Sequence, residues 1–321
     1  MLSSPGGWIV QVAGSISASD VGHRVVLRRR VGVTDGRPQY ADVLGELLAL
    51  TDEVAVVRKK DATEVRVPLG EVTRAKRVPP ARDRRVGDLA LERIAALGWP
   101  GTQTAEAGGW LLRAGGGFTG RANSALPTYD DPDPAVVLDW YAARGLPALA
   151  QVPVTHPLYA HLEREGWEPG HGAYVLTAHR DDVLAATPAR DDLPPVEVAG
   201  TPDADWLSLY HHRGGPLPDA AVGVLTAGGR PEFHTLRLGG RVAAVCRTAT
   251  AEGWLGLTAV EVAPARRRQG LATHLLRSVT ERTDARRLYL QTEHANTGAL
   301  ALYRRAGFTV HHEYRYLRAP G

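Results

Sequence analysis

The stretch Trp254-Leu-Gly-Leu-Thr-Ala-Val-Glu-Val262 and, after Ala263, Pro264-Ala-Arg-Arg-Arg-Gln-Gly-Leu-Ala272 decide the fold. The first run is apolar and predicts a strand, and the second predicts a basic loop that opens a helix. The apolar residues of that helix share one face: Leu271, Leu275, Leu276 and Val279. A helix start presents N–H groups and a dipole that favour an anion, and Gly270 lets a phosphate approach the backbone where a Cβ would block it. The sequence therefore predicts an anion-binding loop at this point.

A second block follows at Arg287-Leu-Tyr-Leu-Gln-Thr-Glu-His-Ala-Asn296, and after it come helix formers up to Ala306 and the pair Gly307-Phe308. This order predicts a strand, a helix capped by Asn296 and a helix stop. Taken together, Arg267-x-x-Gly270-x-Ala272 and this second block resemble the two acyl-CoA motifs of the GNAT superfamily of N-acetyltransferases. The alternative is an ordinary βαβ unit whose basic helix start is solvated.

The resemblance implies that acetyl-CoA is the acyl donor and that no metal takes part. It implies that the pyrophosphate is held by the residues from Arg267 to Thr273, which are Arg267, Arg268, Gln269, Gly270, Leu271, Ala272 and Thr273. In the superfamily a backbone N–H of the preceding strand polarises the thioester carbonyl, and Val262 is the matching position. In these relatives the matching asparagine contacts CoA, so the resemblance implies the same role for Asn296.

Three side chains are candidates for proton transfer, namely Tyr303, Glu261 and, as the weakest, Glu293. Tyr303 lies seven residues after Asn296, on nearly the same helix face, and the resemblance implies that it is the general acid for the CoA sulfur; the alternative is a core tyrosine. Glu261 interrupts an apolar strand, so it faces a cleft or lies at a strand distortion, because an unpaired buried charge is costly. It is the candidate general base, with a structural or substrate-orienting role as the alternative. Glu293 is a weaker candidate at a solvated strand end.

Residues 81–193 also alternate helices and strands, including a predicted strand at 122–126, but lack the Arg-x-x-Gly-x-Ala loop, so they are predicted to form a degenerate GNAT half that cannot hold CoA. Residues 194–321 are predicted to form the acetyl-CoA-binding GNAT domain. Within the first half, Arg121, Asn123 and Ser124 are candidates for binding the acceptor, since a carboxylate would pair well with Arg121. The alternative for Arg121 is a structural link between the halves.

The beginning of the chain is different. Residues 1–19 are predicted to be a flexible leader, and residues 20–80 a small all-β barrel that resembles the Src-homology-3 type. A turn is predicted at 34–38, a hairpin tip at 59–62, and a linker to the next domain at 78–85. Arg28-Arg29-Arg30 and Arg58-Lys59-Lys60 are compatible with nucleic acid, but neighbouring residues on a strand face opposite sides, which favours a solvated surface.

Composition limits the remaining functions. The 321 residues include 44% hydrophobic and 23% charged residues, which fits a soluble globular protein of two or three domains. The net charge of +3 is too small to imply nucleic-acid binding by itself. The single cysteine, Cys246, excludes an intramolecular disulfide and is predicted to be a core residue. No signal peptide or membrane span is evident, so the default location is cytoplasmic.

Two histidine pairs, His211-His212 and His311-His312, are not predicted to bind metal, because adjacent residues diverge on a strand and no further ligand set accompanies them.

The sequence thus predicts an α+β protein with tandem GNAT halves after a small barrel. The predicted activity is transfer of an acetyl group from acetyl-CoA to a primary amine. The whole arrangement resembles an actinobacterial family whose members are labelled histone-acetyltransferase-like or N-acetylglutamate synthase, and these labels imply a protein lysine or the α-amine of glutamate as the acceptor. Glutamate is slightly favoured, because Arg113 and Arg121 lie in the segment that could line the cleft. A binding or adaptor protein that uses the barrel is the alternative from another class. The oligomeric state stays open.

Overall fold

The structure is a computed structural model that describes residues 16–59, 63–78, 86–211 and 215–320. Most of the predicted leader, most of the predicted hairpin tip at 59–62 and most of the linker at 78–85 lie outside these residues. The chain divides into two units, Met1–Arg85 and Val86–Gly321, and each has its own core.

The N-terminal unit is a five-stranded antiparallel sheet in the order β4-β3-β2-β1-β5. Its strands are β1 (Arg24–Thr34), β2 (Arg37–Leu50), β3 (Val54–Arg58), β4 (Glu64–Pro68) and β5 (Val72–Arg77). Asp35 and Gly36 both have positive φ, 50° and 76°, and so form the tight turn that the sequence predicts between β1 and β2. Within the described residues no pairing joins β4 to β5, so a closed barrel is not shown.

The second unit contains eight helices within its described residues, namely α1 (Asp88–Gly98), α2 (Pro134–Ala142), α3 (Pro157–Arg164), α4 (Arg180–Ala186), α5 (Ala204–Leu209), α6 (Ala220–Thr226), α7 (Leu271–Arg282) and α8 (Thr297–Arg305). Its strands are β6 (Gln103–Ala107), β7 (Trp110–Ala114), β8 (Leu126–Pro127), β9 (Leu149–Pro153), β10 (Glu168–His179), β11 (Glu197–Ala199), β12 (Glu232–Leu238), β13 (Arg241–Ala251), β14 (Trp254–Val262), β15 (Arg287–Glu293) and β16 (Thr309–Arg318). The helix and strand content is that of an α+β fold.

An eight-stranded sheet organises this unit, in the order β11-β12-β13-β14-β15-β10-β16-β9. Only β14 and β15 run parallel among its named pairs. The three-stranded sheet β6-β7-β8 meets β9 through a bridge between Ala125 and Ala150. Strands from both predicted halves share the large sheet, because β10 lies between β15 and β16. The last strand of each predicted half is therefore inserted beside strands of the other.

The apolar face of α7 is buried as its spacing predicts. Leu271, Leu275, Leu276 and Val279 all pack in one core cluster with Leu257 of β14. On the opposite face of the sheet, α5 and α6 bury Trp206 and Val224. The site described below lies at the edge between these two cores.

One local prediction is wrong. Residues 122–126 are predicted as a strand, but Arg121–Asn123 forms a short 3-10 helix and only Leu126–Pro127 is a strand. The physical reason is side-chain competition for the backbone, since Asn123 accepts hydrogen bonds from the N–H groups of Gly115 and Gly117. Among the described residues no helix is long and apolar enough to cross a membrane.

Candidate active site

The site is built where two parallel strands separate. β14 and β15 pair from Trp254 opposite Arg287 as far as Leu257 opposite Leu290. Beyond that point β14 continues to pair with β13, and β15 with β10. Because α7 follows β14 and α8 follows β15, both helices begin beside this opening. Crevices at the carboxyl ends of parallel strands are where α/β sheets bind ligands.

A β-bulge in β14 marks the start of the opening. Ala259 and Val260 together lie opposite Cys246, and Ala259 has φ of 51°. An extra residue reverses which face the following side chains occupy. Val260 and Val262 therefore pack against the α7 core, and Glu261 lies on the face of α5 and α6. The strand distortion considered from the sequence is thus present immediately before Glu261.

The same register sets the direction of the Val262 amide. The N–H of Ala263 donates to the carbonyl of Ala243, at 2.9 Å, and Val262 lies opposite Ala244. Hydrogen-bonded and non-hydrogen-bonded pairs alternate along an antiparallel ladder. The Val262 N–H therefore points away from β13 and towards the opening that β15 has left.

The basic loop ends in a left-handed glycine. Gly270 has φ of 80° and ψ of 5° and is the N-cap of α7. The first helical hydrogen bond runs from the His274 N–H to the Gly270 carbonyl, at 3.0 Å. The N–H groups of the first three helical residues therefore have no acceptor within the helix; these residues are Leu271, Ala272 and Thr273. Arg266, Arg267 and Arg268 are all exposed in the preceding loop.

Arg190 is a further cation beside this loop, and sequence reasoning missed it. Its Nη1 donates to the carbonyl of Gln269 at 3.4 Å, and a Cβ on Gly270 would lie 2.9 Å from that nitrogen. Asp192 holds the guanidinium through two bonds of 2.6 Å, to Nε and Nη2. This charge-assisted bidentate pair raises the pKa of Arg190. No motif in the sequence signals this contact, because Arg190 is distant along the chain.

Asn296 and Tyr303 are both placed by α8. Asn296 is the N-cap, and its Oδ1 accepts from the Ala299 N–H at 3.1 Å, as predicted. Tyr303 lies in the same core cluster as Cys246 and Leu271. Burial, and next to it the neighbouring Cys246, raises the pKa of Tyr303. Its hydroxyl therefore keeps its proton at neutral pH, and it makes no hydrogen bond with the described part of the chain.

Glu261 is held by two partners. Its Oε2 accepts from the backbone N–H of His211, at 3.2 Å, and its Oε1 lies 3.7 Å from Nη2 of Arg267. Tyr210 is close enough that the charge of Glu261 contributes to raising its pKa, after the larger effect of burial. The side chain of Glu261 is 21% exposed, so a substrate can reach its carboxylate. Glu293, the weaker candidate, is exposed at the end of β15.

The three predicted acceptor residues differ in how far they are already engaged. Arg121 donates to Gln291 Oε1 on β15 at 2.7 Å, and its guanidinium lies over the Trp99 ring. Asn123 uses its amide nitrogen on the carbonyls of Phe118 and Thr119, in addition to the two N–H groups that it accepts. Ser124 is fully buried. The structure therefore leaves Arg121 nearest to a substrate-facing role.

Arg113 has a different position from the one that the sequence suggests. It is buried and donates to the Ser124 carbonyl and to Gln151 Oε1, both at 2.9 Å, and to Ser124 Oγ. Burial lowers its pKa. The crevice beside it, which Glu92 and Arg121 also line, has no room for a water molecule. Arg113 therefore supports the fold rather than lining an open cleft.

Arg247 is the largest feature that the sequence reasoning missed. It is fully buried on β13 and donates to the carbonyls of Leu225, Gly98 and Ala227 at 2.6–2.9 Å. Burial lowers its pKa to about 10. Its bonds tie the ends of α1 and α6 to the strand that faces the bulge. The sequence did contain a signal for Arg247: this arginine directly follows the apolar run 242–246, in the middle of a predicted strand.

The reason for setting aside His311-His312 is wrong. Val175 of β10 pairs with His312 of β16, and the next residue, Leu176, pairs with Val310. His311 is therefore the extra residue of a β-bulge in β16. Both histidines are buried, and their Nδ1 atoms lie 2.8 Å apart. For the other pair, His212 lies outside the described residues. Cys246 is buried in the core, as predicted.

Comparison with known proteins gives the family. Residues 89–317 match the family model described as "Probable histone acetyltransferase Rv0428c C-terminal". The chain belongs to this family. A curated relative in Mycobacterium tuberculosis, the "Probable histone acetyltransferase Rv0428c", is 33% identical over 315 residues, covering 95% of this chain and 97% of the relative.

A second relative, the "Uncharacterized N-acetyltransferase YobR" of Bacillus subtilis, is 26% identical and covers 70% of this chain and 96% of its own length. The structure also resembles a GCN5-related N-acetyltransferase from Kribbella flavida, with a TM-score of 0.55 and 18% identity, over 74% of this chain and 97% of that one. At that identity the likeness shows the fold alone. The chain is thus an N-acetyltransferase with a GNAT fold.

Proposed function

We propose that this protein transfers the acetyl group of acetyl-CoA to a primary amine at the opening between β14 and β15. The observation that carries the proposal is the glycine-capped start of α7 beside that opening. Acetyltransferases of this superfamily use acetyl-CoA as the acyl donor, and here it would supply the acetyl thioester. The residues of the chain bind it, orient it and move the protons.

The loop residues suit a pyrophosphate. The amides from Arg267 to Thr273 surround a glycine with no Cβ, and three exposed arginines supply positive charge. Arg190 adds a guanidinium that Asp192 orients; because that carboxylate offsets its charge, Arg190 would contribute an N–H donor beside the loop and no further net charge. Asn296 would meet the CoA from the start of α8.

The opposite repeat supports the assignment of only one donor site. In residues 81–193, proposed as a degenerate half, α2 follows β8 as α7 follows β14. The N-cap of α2 is Asp133, whose carboxylate accepts a hydrogen bond from the Ala135 N–H at 2.9 Å. A carboxylate at that point repels a phosphate, whereas Gly270 admits one. Residues 194–321 are accordingly proposed as the acetyl-CoA-binding domain.

Three groups would perform the transfer. The Val262 N–H points into the opening and would stabilise charge on the thioester oxygen. Glu261 would take the proton that the amine loses, on the other face of β14. Tyr303 would act as the general acid: as the C–S bond breaks, its hydroxyl gives its proton to the leaving CoA sulfur, and the hydroxyl regains a proton from water. Burial, the first cause of its raised pKa, keeps the hydroxyl protonated until that step.

The acceptor that we favour is a protein lysine. The relative that is 33% identical is named a probable histone acetyltransferase. The case for glutamate rested on Arg113 and Arg121 together, and Arg113 is buried with its donors already used. Arg121 alone keeps a small amino acid as the second candidate.

A thiol-release assay tests these proposals. Full-length protein is incubated with acetyl-CoA and with separate amines: a lysine-rich protein, glutamate, other amino acids and polyamines. Arg267→Glu should weaken acetyl-CoA binding at least tenfold, and Arg164→Glu on α3, an equal charge change on an exposed helix, should not. Unchanged affinity in Arg267→Glu would refute the donor site. Turnover with glutamate but not with the lysine-rich protein would refute the favoured acceptor.

We propose that the N-terminal unit, as a Src-homology-3-like barrel, has an accessory role and is not a nucleic-acid site. The ion pairs of its arginines support this. Arg28 lies 3.1 Å from Asp42, and Arg29 lies 3.3 Å from Glu71. Arg58 is flanked by two glutamates, at 3.3 and 3.8 Å. These carboxylates offset the charge that phosphates would need. Salt-dependent binding of duplex DNA by the full chain, lost on reversing these arginines, would instead support the adaptor function.

A further inference from the structure

A cluster of Asp88, His311 and His312 stands apart from the proposed acetyl-transfer site. The β-bulge of β16 turns the two histidines to the same side. Nδ1 of His311 and Nδ1 of His312 are 2.8 Å apart, and Asp88 Oδ1 lies 3.5 and 3.8 Å from them. Each of the three residues offers one ligand atom, and these atoms all lie within 4.8 Å of one another.

The other ring nitrogens fix the tautomers. Nε2 of His311 lies 2.8 Å from the Val86 carbonyl, and Nε2 of His312 lies 2.8 Å from Glu92 Oε1. A carbonyl oxygen can only accept a hydrogen bond, and the carboxylate oxygen of Glu92 is placed to accept one, so the contacts assign each Nε2 as the donor. With Nε2 donating, Nδ1 is the ring atom that can coordinate an ion. Two such nitrogens and a carboxylate oxygen face one another, which is an arrangement that a cation stabilises.

We propose that Asp88, His311 and His312 bind one divalent first-row transition-metal ion. Metal-ligating histidines characteristically donate their second N–H to a carbonyl or a carboxylate, as both do here. The carboxylate ligand is itself oriented, because Thr155 Oγ donates to Asp88 Oδ2 at 2.8 Å. Two histidines and one carboxylate, with a position left for water, form a recurrent donor set for such ions.

The spacing agrees with direct coordination. Imidazole nitrogens lie about 2.0–2.1 Å from such an ion, so two ligands at a right angle are about 2.9 Å apart and two tetrahedral ligands about 3.4 Å apart. The observed 2.8 Å between the two Nδ1 atoms fits the first case, whereas the 3.5 and 3.8 Å from Asp88 Oδ1 correspond to wider angles, nearer the tetrahedral one. A tetrahedral ion such as Zn²⁺ needs the rings to open by about 0.5 Å. Asp88 is 31% exposed, which gives an ion a route from solvent.

The ion would join the first turn of α1 to the last strand of the unit. Asp88 and Glu92 are one helical turn apart on α1, so the helix supplies a ligand and the partner that orients His312. Glu92 Oε2 also accepts from Gln291 Nε2, at 3.1 Å, and Gln291 accepts from Arg121. The site is therefore structural in position, and a hydrogen-bonded chain links it to the wall of the proposed active site.

The experiment uses full-length protein stripped with a chelator. Zn²⁺ and Co²⁺ are titrated separately, with calorimetry for affinity and stoichiometry and with Co²⁺ absorption for ligand geometry. Asp88→Asn is the first test variant, because the amide keeps an acceptor for Thr155 and the site is partly exposed. His311→Asn is the second, and His161→Asn on α3 is the matched control.

Binding of one ion per chain by the natural protein and by His161→Asn, with at least a tenfold loss in both test variants, supports the site. Bound ion should also raise the Tm of the natural protein and of the control, but not of the test variants. Absence of one-to-one binding, or equal affinity in all variants, overturns the proposal. A nitrogen NMR spectrum that still shows a proton shared between the two Nδ1 atoms after Zn²⁺ is added also overturns the proposal.

Discussion

The carboxylate of Glu261 lies 3.7 Å from Nη2 of Arg267. The candidate base thus contacts the loop that is proposed to hold the acyl donor. Arg267 also donates to the Val262 carbonyl, at 3.3 Å, so it bridges two successive residues whose side chains lie on opposite faces of β14. Binding of a pyrophosphate at Arg267 would compete with Glu261 for the guanidinium, and this couples occupancy of the donor site to the carboxylate that would accept the proton of the amine.

Glu261→Gln should lower kcat at least a hundredfold, because a positioned general base contributes about 10²–10⁴-fold. The amide oxygen still accepts from His211, so the Tm should change little. Steady-state kinetics with saturating acetyl-CoA and the best amine measure this, and Glu293→Gln on the exposed end of β15 is the control. A kcat that stays normal in Glu261→Gln and falls in Glu293→Gln would transfer the role to Glu293.

Much of the candidate site could be predicted because it is local in the sequence. The strand at 254–262, the glycine start of α7 and the Asn296 cap each depend on neighbouring residues, and all three are observed. Arg190 could not be predicted, because its contact with Gln269 joins residues 79 positions apart. The exchange of β10 and β16 between the predicted halves depends on the same kind of long-range pairing.

Gly270→Ala should weaken acetyl-CoA binding and lower the free energy of unfolding by about 1–2 kcal/mol. The left-handed conformation is strained for a residue with a Cβ, and that Cβ would meet Arg190 Nη1 at 2.9 Å. Gly298→Ala is the matched control, because its Cβ meets no atom within 4 Å and its φ is not positive. Alanine is favoured within a helix, so the control should gain about 0.5–1 kcal/mol.

Urea denaturation and calorimetry with acetyl-CoA measure both quantities. Adding Arg190→Ala to Gly270→Ala would remove the steric contact but not the backbone strain. Equal stability of Gly270→Ala and Gly298→Ala would contradict the left-handed conformation of Gly270.

Tyr303→Phe and Tyr141→Phe should separate turnover from stability. The Tyr303 hydroxyl makes no hydrogen bond with the described residues, so its loss should lower kcat and leave the Tm nearly unchanged. The Tyr141 hydroxyl donates to the Arg113 carbonyl at 2.8 Å, so its loss should cost about 1 kcal/mol of stability with little change in kcat. Thiol release and thermal melts measure the two effects. A normal kcat in Tyr303→Phe would remove the hydroxyl from the chemistry.

The histidines show where sequence reasoning fails for a physical reason. Alternation along a strand predicts that His311 and His312 diverge, and this holds only where the register is regular. One extra residue in β16 against β10 cancels it, and no local pattern at 309–313 signals the bulge. The bulge in β14 has the same effect on Glu261, where the charge within an apolar run did give a warning.

His234 should make the protein less stable in mild acid. Burial, and after it the charge of Arg282, lowers the pKa of this histidine from 6.5 to about 4. Glu232 lies 3.7 Å away and would favour the charged ring, but Glu232 is half exposed and the ring is 1% exposed, so burial dominates. Between pH 6.5 and about 4 the unfolded chain binds more protons at this site than the folded one.

The free energy of unfolding should therefore fall as the pH is lowered through that window, by about 3 kcal/mol from this residue. Above pH 6.5 both states are neutral at His234, and its contribution should not change with pH. Urea denaturation at pH 7.0, 5.5 and 4.5, compared between the natural protein and His234→Asn, isolates the effect, because the variant retains every other titrating group. An identical pH dependence in the two proteins would show that His234 is protonated in the folded state as readily as in the unfolded one.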